Sequence, residues 1–310
     1  MSESESTGRP VEDVVAAVVD GRDRDPETVR EALDPVTDDG VVTREAIEAA
    51  VSDTSKIAAT AETRAELASI AYDDAVDAAT PVDDLAIVMS RLDEYADRLD
   101  TVEARAAALT DDLRAPVERL GDLGAVYELA TGLRETAATA QAVARTADEL
   151  SVDLEAFEAW LDSPERRSDE FAEDVDLVDE SLAELSDAAA ALPAESEAPA
   201  VDWADATMRA RVLDLLVADL RTELTDLQTW AGREDEPFRT GLDDRVADLE
   251  GRVEDLHDVL AEYAEPAWRD RFGDDLAAFD RDLDGFEPPV DWERVRETLA
   301  ARRERAFETR

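Results

Sequence analysis

The chain has 310 residues, 81 acidic against 32 basic, for a formal net charge of −49, and 44% of its residues are hydrophobic. That length supports one large or two to three modest domains with an ample core. The absence of cysteine excludes disulfides and thiolate chemistry.

Taken in chain order, the acidic start MSESESTGRP has no hydrophobic run, so it reads as a disordered tail over 1–9 and not as a signal peptide. The apolar run VVAAVV at 14–19 is too short to cross a membrane. Helix formers dominate and Pro or Gly falls mainly between periodic segments, which predicts an all-α fold: an elongated bundle of antiparallel, coiled-coil-like helices behind a small N-terminal helical region. Short helices are predicted near 11–19, 26–33, 43–51 and 60–78, within an N-terminal domain over 10–79. A long-helix bundle over 80–192, a linker PAESEAPA at 193–200 and a helical region over 201–310 follow.

The long helices carry apolar residues at alternating steps of three and four. One run is Leu85, Val88, Leu92, Tyr95, Leu99, Val102, Ala106, Leu109 and Leu113; a second is Phe171, Val175, Val178, Leu182, Leu185, Ala189 and Leu192. A third is Leu242, Val246, Leu249, Val253, Leu256, Leu260 and Tyr263. Such spacing keeps one apolar seam facing a partner helix. Prolines at 81, 116, 164, 193, 237 and 266 cut the pattern into lengths suited to folding back within one chain. Val82-Asp83, Val152-Asp153, Val201-Asp202 and Val290-Asp291 each read as a helix start. The aspartate would take the cap and the valine would staple onto the first turns. PAVDW and PPVDW, ending at Trp203 and Trp292, look like one capping grammar used twice.

LDPVTDDGVVTREAI at 33–47 resembles a calcium loop between helices. With Gly40 at the sixth position, Asp39 and Thr43 fall at ligand positions, but Pro35 takes the first and Ala46 the twelfth. The two strongest ligands are missing, so the stretch predicts a helix–turn–helix junction: Asp38-Asp39-Gly40 turns, and Thr43 caps the next helix. His257, the only histidine, flanks a seam and reads as a solvated side chain, which leaves no Ser-His-Asp arrangement. No phosphate-binding glycine motif occurs, since Gly121 and Gly124 alone do not make one. No catalytic residue, metal site or cofactor is therefore predicted.

The last stretch, DWERVRETLAARRERAFETR, is the least acidic, with six arginines against five acids. Residues 1–60 hold fifteen acids and six bases, and phosphate contacts weaken steeply with salt. Nucleic-acid binding by the N-terminal helices is thus the secondary expectation. Trp203, Trp230, Trp268 and Trp292 crowd the C-terminal third. They read as a local core or, with Arg302, Arg303 and Arg305, as a face for a protein partner or for self-association through helices.

Lys56 is the only lysine and the pI is near 4.1; this composition resembles cytoplasmic proteins of extremely halophilic archaea. The stretch VTDDGVVTREAIEAAVSDTSKIAATAETRAELA at 36–68, with the acidic helical body, resembles a haloarchaeal family labelled "halo transducer protein", most firmly over residues 10–80. The resemblance implies a link to sensory signalling. Methyl-accepting transducers also have membrane helices and a long signalling hairpin with a characteristic tip, and this sequence shows neither. The expectation is a non-enzymatic, cytoplasmic, salt-adapted interaction or scaffold protein accessory to signalling.

Overall fold

A computed structural model describes residues 8–20, 24–114, 123–195 and 198–308. The fold is all-α, with ten α-helices among the described residues. It resolves into two compact units: residues 1–80 with 92–158, and residues 81–91 with 159–310. The stretch 80–192, which the sequence suggests as one bundle, contributes to both.

The first unit starts with β1 (Arg9–Pro10), α1 (Val11–Val19), α2 (Pro26–Leu33), a 3-10 turn over Asp34–Val36, β2 (Thr37–Asp38), β3 (Val41–Val42) and the long α3 (Arg44–Ala79). Where the sequence suggests a helix–turn–helix junction, residues 37–42 form a β-hairpin. Thr37 pairs with Val42 and Asp38 with Val41, and β1 adds to the outer side of β3 in the order β1-β3-β2. Arg9, expected in the tail, is thus part of the sheet. Asp39 and Gly40 both have positive φ, 46° and 77°. A two-residue turn of that kind matches the twist of paired strands, and Asp-Gly is among its preferred sequences. Gly8 is required for a different reason: a Cβ there would collide with Val41 Cγ1. Thr43 caps α3 as expected, accepting from the Ala46 N–H at 3.0 Å.

α3 is one helix where two are expected. The Ser- and Thr-containing stretch SDTSKIAAT spans the gap between the two expected helices. In the fold the Ser55, Thr60 and Thr63 hydroxyls donate to the carbonyls four residues back, and the helix continues. α4 (Ala86–Arg114) and α5 (Leu123–Leu161) follow. Val152-Asp153, expected to start a helix, lies inside α5, because the buried series Leu150, Leu154, Phe157 runs straight through it. The N-terminal module is closed by one core of Val11, Val14, Val15, Val18, Val29, Leu33, Val36, Val42 and Ile47, against which Val126, Leu129 and Leu133 of α5 pack. Arg64–Asp148 ties α3 to α5 at 3.1 Å, and Arg98–Asp153 with the Tyr95–Phe157 ring pair ties α4 to α5.

The second unit packs α6 (Pro164–Glu195), α7 (Pro199–Glu234) and α8 (Leu242–Tyr263) against one another. α9 (Pro266–Leu283) and α10 (Trp292–Glu308) form a pair laid on α7. Prolines 164, 199 and 266 each open a helix, where a missing N–H costs nothing. The expected linker shrinks: α6 runs through Glu195 and α7 starts at Pro199, with residues 196–197 outside the described set. Val201-Asp202 therefore sits within the first turn of α7, whereas Asp291 does cap α10, accepting from the Arg294 N–H at 3.0 Å. Two PxVDW copies thus adopt two conformations. Asp83 precedes the start of α4, whose Ile87 N–H is taken instead by Asp226 of α7 at 3.1 Å.

All three expected seams are buried, apart from the half-buried Tyr95 and Tyr263, and Leu113 falls among the undescribed side chains. Residues 1–7 of the expected tail, Pro116 and Gly121 also lie outside the described residues.

Gly40→Val should weaken the hairpin by about 1–2 kcal/mol, because a β-branched residue resists positive φ. Hydrogen exchange of residues 36–43 would report this as faster exchange, with Asp39→Asn leaving the hairpin within about 0.5 kcal/mol of the parent.

Candidate functional site

α7 carries two seams. The first, Trp203, Ala206, Ala210, Leu213, Val217, Leu220, Leu224 and Leu227, is buried throughout. The second changes character along its length. Its early part is apolar: Met208 is fully buried with Phe279 of α9 and Ala306 of α10, and Val212 packs beside them. From Asp219 it continues as Asp219, Glu223, Asp226, Trp230 and Arg233, at the same steps of three and four. Each of these side chains holds a specific partner, and this polar half is the candidate site.

Asp219 accepts from Trp292 Nε1 at 2.8 Å and from the Val290 N–H at 3.1 Å, which fixes the start of α10. Asp226 accepts from the Ile87 N–H, an orphan donor of the first turn of α4. Arg233 grips both oxygens of Asp84 at 2.6 Å, and that guanidinium holds the Asp84 carboxyl below its ordinary range. Between them, Arg91 Nη2 lies 2.6 Å from Glu170 of α6 and 3.9 Å from Glu223, with its guanidinium 4.2 Å above the Trp160 ring.

Trp160 meets Trp230 edge-on, with centroids 5.4 Å apart, and Arg167 lies 3.8 Å over the Trp230 ring. Only 3% of the Arg167 side chain is exposed. Its burial is tolerated because its nitrogens are answered. One donates to the Leu161 carbonyl at 2.5 Å, at the end of α5, where carbonyls lack helical partners; another pairs with Glu234, which also accepts from Trp230 Nε1 at 2.9 Å. Burial lowers the Arg167 pKa and Glu234 opposes it, but a guanidinium stays charged.

The acids near Arg91 outnumber it. Burial pushes the Glu223 carboxyl up to about 7, with Arg91 opposing and Asp174, Asp219 and Glu170 adding to the rise. Burial raises Asp174 also, with Glu170 adding, and it raises Asp219 against the bonds from Trp292 and Val290. A carboxyl whose folded pKa is raised keeps its proton where the unfolded chain would lose it. Its contribution to stability is therefore fullest below the ordinary glutamate range and is lost as pH climbs from there through about 7.

The residues singled out in the sequence do not form one face. Trp203 and Trp230 are buried, 5% and 3% exposed, so neither is open to a partner. They lie at opposite ends of one helix, roughly 40 Å apart along its axis. Trp203 donates to the Leu260 carbonyl at 2.8 Å and packs near the half-buried Trp268. Trp292 is half-buried on Asp219. Arg302 pairs with Asp282 and Arg303 with Asp205, both at 2.6 Å, while Arg305 is exposed. His257 contacts Asp214 at 2.7 Å. Sequence reasoning missed Trp160, Arg91, Arg167 and Glu223. The available signal was the continuation of an apolar seam by acids at the same spacing. Among the described residues no group of three or more His, Asp or Glu is arranged to hold a metal ion, and no helix is long and apolar enough to cross a membrane.

No protein-family model, curated protein or solved structure matches the chain significantly.

Arg167→Met would leave the Leu161 carbonyl without its donor and the solvent-reached Glu234 without its cation. It should destabilise the second unit by roughly 1–3 kcal/mol, measured by urea unfolding with tryptophan fluorescence.

Proposed function

We propose that the protein is a non-enzymatic, cytoplasmic helical interaction protein adapted to high salt and accessory to sensory signalling. The observation that carries this reading is on α3. Leu67 and Ile70, 48% and 51% exposed, stand one turn apart and turned away from the buried Ala65 and Ala68. An apolar pair held out on a long helix, in a chain this rich in carboxylates, supports a role in contact with another macromolecule. The composition and the resemblance of residues 10–80 to the transducer-labelled family support the salt and signalling parts of the proposal.

The second reading is a DNA-associated regulator. It is favoured by the N-terminal order of two helices followed by a hairpin. The charges weigh against it. Arg30 pairs with Glu12 and Glu27, Arg24 stacks on Tyr127, and exposed Glu27, Glu31, Asp38 and Asp39 surround them. Cations engaged in this way are poorly placed for phosphates.

A photo-crosslinking residue at position 67 should give a discrete protein adduct in the producing cells, and one at the exposed Glu103 should not. Equal labelling at both positions, or none at 67, contradicts the interaction reading. A nucleic-acid adduct from the same reagent at Glu31 would favour the DNA reading.

A further inference from the structure

We propose that the contact of Arg91 with Glu223 and Glu170 is a proton-gated clasp, which holds residues 81–91 on α7 when Glu223 is protonated and loosens when it ionises. The proposal concerns the second unit alone and does not rest on the interaction reading.

The segment is held by few points. Val82, Leu85, Ile87 and Val88 are buried, and the polar anchors are Asp84 on Arg233, the Ile87 N–H on Asp226, and Arg91 on Glu170 and Glu223. Residues 81–85 precede the helix, so the start of α4 depends on these side chains. The anchors answer to different pH ranges. Arg233 keeps Asp84 ionised across the neutral range. Glu170 is already matched to Arg91 at 2.6 Å, so the same nitrogen at 3.9 Å gives Glu223 only a partial counter-charge. The charged groups facing Glu223 are Arg91 from α4, Glu170 and Asp174 from α6, and Asp219 from its own helix: one cation against three acids. Only 20% of the Glu223 side chain reaches solvent.

Ionised Glu223 in the closed arrangement thus faces excess negative charge with little water to screen it. Opening the layer admits water and relieves the repulsion, whereas a proton relieves it without opening. Closing the clasp and taking up a proton are therefore coupled, and each favours the other by the same factor.

The test is hydrogen exchange of the full-length protein at constant salt, from pH 5.5 to 8.5, with intrinsic rates corrected. Protection of residues 86–91 should fall by about tenfold or more across that range, while residues 246–256 of α8 change little. Glu223→Gln should abolish the fall and keep the segment protected at pH 8.5. Asp174→Asn removes one repelling charge, so Glu223 ionises more easily in the closed clasp; the fall should become smaller and end at lower pH. A fall that persists in Glu223→Gln, a fall shared equally by α8, or no fall in the parent protein would overturn the proposal.

Discussion

Burial of apolar seams between helices is the interaction on which the rest of this structure depends, because it must hold together a chain with a formal net charge of −49. Apolar burial contributes on the order of 25 cal/mol per Å² and is unaffected by the sign of the surface. The charges are then managed by placement. Several arginines bridge neighbouring helices: Arg221 joins α7 to Asp243 and Glu250 of α8, Arg239, Arg245 and Arg252 join α8 and its approach to α6, and Arg302 joins α10 to α9. Exposed pairs of this kind are individually worth about 0–1 kcal/mol. Their value lies in putting a cation where two acidic helices come closest.

The same constraint explains the polar seam of α7. A helix that packs on several neighbours has more than one buried stripe. Where the second stripe meets Met208 and Phe279 it is apolar, and where it meets chain segments with unpaired backbone donors it becomes acidic. Asp226 answers the Ile87 N–H at the start of α4, and Asp219 answers the Val290 N–H just before α10. Arg167 does the converse for a carbonyl at the end of α5. The cost falls on Glu223, which has the least share of a cation.

How much of this was legible depends on which residues fill the seams. The Leu- and Val-rich seams of α4, α6 and α8 stand out in the sequence. Those of α3 and α5 have the same spacing but are built from small residues: Ala58, Ala61, Ala65 and Ala68 in one, Thr136, Ala140, Val143 and Ala147 in the other. Alanine carries little hydrophobic contrast, so the repeat fades although the burial is as deep. The Asp39-Gly40 dipeptide is itself a hairpin signal, but it is embedded in acidic residues whose spacing resembles a calcium loop. The candidate site was the least legible part. In a chain with 81 acids no single carboxylate stands out, and only the fold reveals that Glu223 is half-buried beside an arginine already engaged.

On the proposed adaptation to high salt, apolar seams hold such acidic helices together when the repulsion between carboxylates is screened. The Debye length falls from about 10 Å at 0.1 M salt to about 3 Å at 1 M. The most direct measurement is far-ultraviolet circular dichroism at neutral pH as KCl is lowered from molar to millimolar concentration. Salt-dependent packing predicts a cooperative, reversible loss of helix on dilution of the salt; a helical signal that stays constant across the whole range would contradict it.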